Sequence, residues 1–587
     1  SRVYQAKFDS QNWTGHLLAY GYTENSTTHI LELNSSHTWD AAEKIPSHAD
    51  RVIITSSDTG AGQSFSWPST SGTPPSRLEV ALENEDILNY IRGDQSKEES
   101  NSGGIYRNRV SLLGDIVNSS PIYVSTPNAR YPDYWPKIDQ STDAPEKDKP
   151  YSAFRYLSAN QARQALVYVG ANDGMLHAFN AVSGVEKFAY VPSEVYKNLK
   201  SLTDPDYNHK YYVDGTPTIA DAFFQKTGDA EGDWHTVLVS GLGGGGQGIF
   251  ALDITNPNTF GDEDSAKANV LWEFTDSDTL ISDSVDNYDR DVGYVYGTAS
   301  IVRLHTGDWA AVFSGGYNNT SDDDEDGGEV NDSSTGEATL YIVRIKDGHL
   351  IKKFTVTKGT GNNNTENHDP TGSDRPNGFS SPSVVDFDGD NVVDAIYAGD
   401  LFGNVWRMDI MGNNTNTWKF AHQSSSNVPP RPIFNACASN TCSAANRQAI
   451  TTQIQVVNHP TLNGYLLLFG TGKYLEMGDH NASGQITHSF YGIWDKPAQS
   501  YAAVDRASLL KQEITKEITD SGTQYRVSTA HTINWHGGNG VTANMGWYMD
   551  LLNVDGANTD NHGERQVSNA VVRNGRIIFV TVSPLDD

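Results

Sequence analysis

The sequence predicts an all-β fold, a β-propeller of about seven blades with long insertions and a few short helices, and three observations predict it. Short runs of β-branched and aromatic residues bounded by Gly, Asn and Asp dominate the chain. Five segments share one form: an apolar strand, a turn, then a second strand. No such segment can cover its own faces and edges, so the copies are expected to pack radially against one another.

The clearest copy is Val167-Tyr-Val-Gly-Ala-Asn-Asp-Gly-Met-Leu-His-Ala-Phe-Asn180. The others run from Val237 through Gly248 to Asp253, from Ala311 through Leu340 to Arg344, from Ala395 to Asp409, and from Leu466 through Ser489 to Asp495. Successive copies start about 70–85 residues apart, longer than a bare four-stranded blade of about 40–50 residues. The excess lies in polar insertions such as residues 320–335 and 358–375. Segments near residues 13–56 and 546–583 are expected to supply one or two further blades and to close a single propeller domain over residues 1–587. Leu78, Val80, Ala81, Ile87, Leu88 and Ile91 recur with an approximate helical period, which predicts a helix over residues 77–92.

A formal charge of −31, from 73 acidic and 42 basic residues, argues against nucleic acid or an anionic lipid surface as the main partner and makes cations the natural counter-species. No apolar run approaches the ~20 residues of a membrane span. The first residue is Ser, with no charged-then-apolar leader behind it, so a processed protein or an excised fragment is expected. The two cysteines lie in Ala436-Cys-Ala-Ser-Asn-Thr-Cys442. A zinc site needs four ligands and a redox motif needs CxxC, so a small loop-closing disulfide between Cys437 and Cys442 is expected, with two reduced thiols as the alternative. Low cysteine content with abundant Asn, Ser, Thr, Gly and Trp fits an exported bacterial β-protein.

The candidate metal site is Asp386-Phe-Asp388-Gly-Asp390-Asn-Val-Val-Asp394. Carboxylates occupy positions 1, 3, 5 and 9, and the Val392 carbonyl at position 7 can add another oxygen. Calcium takes six to eight oxygen ligands, and close carboxylates repel one another without a cation. Asn391 stands where such loops usually place Gly, and Asn tolerates the left-handed conformation best after Gly. An EF-hand would need a bidentate Glu at position 12, where this chain has Tyr397 followed by a strand. A hairpin-turn calcium loop is therefore expected, with a solvated acidic turn as the competing reading. A second acidic run, Asp322-Asp-Asp-Glu-Asp-Gly-Gly-Glu329, is followed by Val330 at the ninth position. It is expected to be a solvated insertion, with weak calcium binding as the alternative.

Other signals look chemical without meeting the requirements of the chemistry. Gly243, Gly245 and Gly248 satisfy GxGxxG, but a dinucleotide fingerprint joins a strand to a helix and the next segment here reads as a strand, so a flexible hairpin is expected. Gly470-Thr-Gly-Lys473 lacks the upstream Gly and the Ser/Thr of a P-loop and reads as a turn. No GxSxG, HExxH or Cys/His nucleophile pairing occurs, and an enzyme is not expected. A lone His177 reads as packed or surface-exposed, and Asp115 and Asp214 as turn residues that fix strand entry.

Leu113-Gly-Asp-Ile-Val-Asn-Ser-Ser-Pro121, Gly170-Ala-Asn-Asp-Gly-Met-Leu-His-Ala-Phe179, Val213-Asp-Gly-Thr-Pro217, residues 243–253, the loop from Asp386 to Asp394, Tyr397-Ala-Gly-Asp-Leu-Phe-Gly-Asn-Val-Trp406 and Phe469-Gly-Thr-Gly-Lys-Tyr-Leu475 together span most of the chain. In that order they resemble the C-terminal domain of the type IV pilus tip-associated adhesin family, the PilC/PilY proteins. The resemblance implies a modified seven-bladed quinoprotein-like propeller at the pilus tip or outer membrane of a bacterium, exported through the periplasm. It also implies work with the pilus machinery, including minor pilins, and contact with host or abiotic surface receptors. It further implies that Ca2+ held by Asp386, Asp388, Asp390, the Val392 carbonyl and Asp394 opposes pilus retraction, and so governs twitching motility, adhesion and virulence. The DxSxS metal motif of the family's N-terminal portion does not occur here, so the chain is expected to be the C-terminal domain cut from a larger adhesin. The rival readings are a quinone-dependent dehydrogenase-like propeller, disfavoured because Cys437 and Cys442 are not adjacent, and a structural propeller whose calcium only stabilises the fold.

Overall fold

Strands such as Leu166–Ala171, Ala395–Gly399 and Ser489–Asp495 are buried along their whole length. That pattern belongs to strands covered on both faces. In the computed structural model the described residues are 2–68, 75–276, 288–320, 333–356, 369, 375–423, 428–481, 484–496, 504–538, 542–555 and 558–584. The acidic run Asp322 to Glu329 lies outside them, as does most of the insertions 320–335 and 358–375.

The chain divides into two compact units, Ser1–Val312 with Asn319–Ser334 and Tyr341–Lys352, and Phe313–Asn318 with Thr335–Leu340 and Lys353–Asp587. In the first unit, Arg2–Asp9, Thr14–Glu24 and Leu31–Leu33 form an antiparallel sheet joined by Trp39–Asp40. A six-stranded sheet follows, in the order Gly62–Ser64, Ile53–Ser56, Glu186–Val191, Met175–Asn180, Leu166–Ala171 and Ile122–Val124. Its pairing of Ile53–Ser56 with Glu186–Val191 is parallel and joins segments far apart in sequence. The next sheet is a simple meander of Thr218–Phe224, Asp233–Gly241, Gly248–Asp253 and Val270–Thr275. The strands Ser300–Arg303, Trp309–Ser314, Ala338–Arg344 and Leu350–Val356 pair in sequence order as another.

In the second unit, Ser383–Val385, Ala395–Gly399 and Asn404–Asp409 pair in sequence order, with Lys419–Phe420 and Phe434–Asn435 both on the last of them. Gln455–Asn458, Tyr465–Gly470, Ser489–Asp495, Gly546–Asp550 and Leu510–Gln512 make a second sheet; a two-stranded ribbon of Ile514–Asp520 and Thr523–Ser528 lies between its last two strands in sequence, and two more ribbons follow it. All five repeated segments are thus antiparallel strand pairs. The segment expected near 546 to add a blade instead enters this sheet through Gly546–Asp550. Tyr397, Val405, Phe434, Phe469 and Tyr491 pack between these strands in one buried cluster.

The helix predicted over residues 77–92 is two helices, Arg77–Leu82 and Glu85–Arg92. Glu83 has φ 65°, and Asn84 is extended with its Oδ1 accepting the Ile87 N–H at 3.1 Å, so the second helix starts on its own cap. Cys437 and Cys442 are disulfide-bonded, with their Cα atoms 5.5 Å apart, as their spacing predicts. Among the described residues no helix is long and apolar enough to cross a membrane.

Candidate metal centre

Val385 pairs with Ala395 across the antiparallel strands Ser383–Val385 and Ala395–Gly399, so residues 386–394 form the turn of a hairpin. The Asp394 N–H donates to the Val385 carbonyl at 2.9 Å, and the Asp394 carbonyl accepts from Ile410 at 2.9 Å, which fixes the exit from the turn. Val392 and Val393 are buried and anchor its second half, while Asp388 stays exposed.

Inside the turn the backbone curls around the first carboxylate. Asp386 Oδ1 accepts the N–H groups of Asp388 at 3.2 Å and Gly389 at 2.7 Å, and Oδ2 accepts that of Asn391 at 2.7 Å. This curl needs left-handed backbone at two places, Gly389 with φ 82° and Asn391 with φ 69°. Both residue types suit it, and the expectation for Asn391 is met. Asp394 Oδ2 accepts the Phe387 N–H at 2.6 Å and draws the two ends together.

The result places one oxygen each of Asp386, Asp388 and Asp394 within 4.8 Å of one another. Asp390 lies outside that cluster, and its Oδ1 accepts the Val392 N–H at 2.8 Å. Its pKa is nonetheless raised, first by burial and then by the charges of Asp388, Asp386 and Asp394, against the Val392 hydrogen bond. The positive charge of Arg407 is held elsewhere: its Nε donates to Asp409 at 2.7 Å and its Nη1 to Asp495 at 2.8 Å. Phe387 stacks on Tyr465 with centroids 5.0 Å apart. Neither Tyr465 nor Arg407, whose guanidinium carbon lies 5.8 Å from the Phe387 ring centroid, carries a local sequence signal, because both come from other strands. The donor set is entirely carboxylate oxygen, which fits a hard cation such as Ca2+ and not zinc, for which thiolate or imidazole is the usual partner.

The other singled-out residues lie apart from this turn. Gly243–Gly245 is a single 3-10 turn between two strands, as the strand reading predicts. It is tightly packed rather than flexible, since a Cβ on Gly245 would lie 1.6 Å from the Tyr212 carbonyl oxygen. Asp115 and Asp214 are buried and tie distant segments rather than local turns. Asp115 accepts from Asn172 at 2.8 Å and is paired with His209 at 2.7 Å, and Asp214 accepts from the backbone and side chain of Asn118. Burial pushes the Asp214 carboxyl up to about 6, with the charge of Asp115 adding to the shift and hydrogen bonds from Asn118 opposing it. His177 is packed, between Glu186 and Asp173.

Comparison with known proteins places these features in a family. Residues 113–529 match the model described as the PilY1 beta-propeller domain. The type IV pilus biogenesis factor PilY1 of Pseudomonas aeruginosa strain PAK is 33% identical over 620 aligned positions, covering 100% of this chain and 47% of that protein. A PilY1 homolog of Xylella fastidiosa is 32% identical over 99% of this chain and 37% of its own length. The chain therefore spans about half or less of the relatives it matches. The crystal structure of the Pseudomonas aeruginosa PilY1 C-terminal domain aligns with a TM-score of 0.57 and 30% identity, over 79% of this chain and 83% of that one. The match over residues 113–529, with strands that pair as the repeats require, shows that this chain belongs to the PilY1 β-propeller domain family.

Proposed function

We propose that the chain is the calcium-binding C-terminal propeller of a type IV pilus-associated adhesin and assembly factor, a non-catalytic protein in which Ca2+ governs pilus extension and retraction. In this reading residues 1–587 form one modified seven-bladed quinoprotein-like domain, exported through the periplasm to the bacterial surface. It works there with the pilus machinery, minor pilins included, and meets host or abiotic surfaces. The names of the relatives support the pilus part.

The observation that carries the calcium part is the convergence of Asp386, Asp388 and Asp394 in one hairpin turn. Asp390 and the Val392 carbonyl complete the proposed ligand set. A cation among these carboxylates would relieve the mutual repulsion that adds to the raised pKa of Asp390. Twitching and surface piliation of a strain carrying Asp386→Ala test the regulatory role. Altered retraction with the domain still folded and exported is the expected result.

The second reading, calcium as a staple only, is favoured by the place of the three carboxylates in a turn that joins two paired strands, where a bound cation would stabilise the hairpin by itself. It predicts a calcium-dependent melting temperature and unchanged motility in the same strain.

A further inference from the structure

An open groove lined by Leu462, Asn463, Trp494, Lys496, Trp535 and His536 has a volume of about 400 Å3, within the ~300–1,000 Å3 typical of small-ligand sites. Its wall is aromatic. Trp494 and Trp535 meet edge to face with centroids 5.8 Å apart at 82°, and His459 packs against them at 4.8 and 4.5 Å. The wall is fixed from behind: Trp494 Nε1 donates to the Asn463 carbonyl at 3.0 Å, and His459 Nδ1 accepts the Leu462 N–H at 2.9 Å. Trp494 is consequently buried, whereas Trp535 is half-buried and Asn463, Lys496 and His536 are exposed.

The rim is polar. Among the described residues Lys496 and His536 make no ion pair or hydrogen bond, and the Asn463 amide and the Trp535 indole N–H are not hydrogen-bonded. Lys496 Nζ sits 5.1 Å from the Trp494 ring centroid. In a chain of net charge −31, this groove is lined by basic side chains and no acidic one.

We propose that the groove binds an acidic saccharide, with the C–H face of a pyranose ring on Trp535 and its carboxylate at Lys496. A sugar ring presents an apolar face and a polar edge together. An indole offers an apolar surface with one N–H donor, a primary amide offers both a donor and an acceptor for hydroxyls, and an ammonium offers a point charge for the carboxylate. A purely apolar occupant would desolvate Lys496 and Asn463 without replacing their hydrogen bonds, and a cationic one would be repelled by Lys496. None of the groove's lining residues belongs to the 386–394 turn, so this inference does not depend on the calcium reading.

The test is calorimetric titration of the whole chain, at fixed calcium, with oligogalacturonate and sialyllactose, and with lactose as the uncharged counterpart. Saturable binding of at least one acidic saccharide is expected, about tenfold tighter than lactose, with Trp535→Ala weakening it about tenfold. Lys496→Gln is expected to reduce acidic-saccharide binding to the lactose level. Because Lys496 is exposed, this variant decides the matter even if Trp535→Ala fails to fold. No saturable binding of either acidic saccharide up to about 10 mM, or binding that Lys496→Gln leaves unchanged, would overturn the proposal.

Discussion

Asp394 Oδ2 accepts the Phe387 backbone N–H at 2.6 Å, so the last carboxylate of the 386–394 turn holds its second residue. Asp394 therefore folds the turn and also faces the other two carboxylates, and substitution separates these roles. Asn keeps a carbonyl oxygen for the Phe387 N–H and removes the charge, whereas Ala removes both. Asp394→Asn is expected to be at least as stable as the unmodified chain without calcium and to gain less from added calcium. Asp394→Ala is expected to lose about 1–3 kcal/mol from the unsatisfied N–H. Urea denaturation with and without calcium measures both.

Asn391, at φ 69°, carries the left-handed bend of the turn. A β-branched residue there costs about 1–2 kcal/mol. Asn391→Val should lower the stability of the turn by that amount and weaken calcium binding with it, while Asn391→Gly should change stability by less than about 1 kcal/mol. Thermal denaturation in chelator compares the two.

His177 reports on a buried network in the first unit. Its Nδ1 is 2.8 Å from Glu186 Oε1 and its Nε2 is 3.0 Å from Asp173 Oδ1, while Arg51 Nε donates to Glu186 Oε2 at 2.7 Å. Burial alone would lower the imidazole pKa, but the carboxylates of Asp173 and Glu186 outweigh it and hold the group at about 9. The folded value lies above the unfolded value of about 6.5, so this stabilisation is fully present below about pH 6.5 and is lost as pH rises through about 9. The stability difference between the unmodified chain and His177→Gln should shrink across that window. A difference that stays constant from pH 6 to pH 10 would contradict the assignment.

Gly245 tests the packing of the glycine-rich turn. A methyl group there meets the Tyr212 carbonyl oxygen at 1.6 Å, whereas one on Gly261 has nothing within 4 Å. Gly245→Ala is expected to cost about 1–3 kcal/mol through backbone displacement. Gly261→Ala should stay within about 0.5 kcal/mol of the unmodified chain. Paired denaturant melts compare them.

Much of this was legible in the residues because it is local. The five strand pairs follow from apolar runs bounded by turn residues, and the curl around Asp386 follows from the spacing of Asp388, Gly389 and Asn391. The break at Glu83 was also available, since Asn84 followed by Glu85 and Asp86 is a helix start inside the apolar period. What pattern could not supply is long-range. The parallel pairing of Ile53 with Ala189, the closure of Asp115 on His209, and the meeting of Trp494 with Trp535 each join segments that no local periodicity connects. Asp390 shows the limit at the site itself, because spacing makes it equal to its neighbours whereas the fold turns it toward the Val392 N–H.

The most direct measurement is a calorimetric calcium titration of the metal-stripped chain beside Asp386→Ala. The account predicts saturable binding by the unmodified chain and at least about tenfold weaker binding by the variant, because Asp386 supplies a charged ligand and organises the turn. Equal binding by both proteins, or none by the unmodified chain, would contradict it.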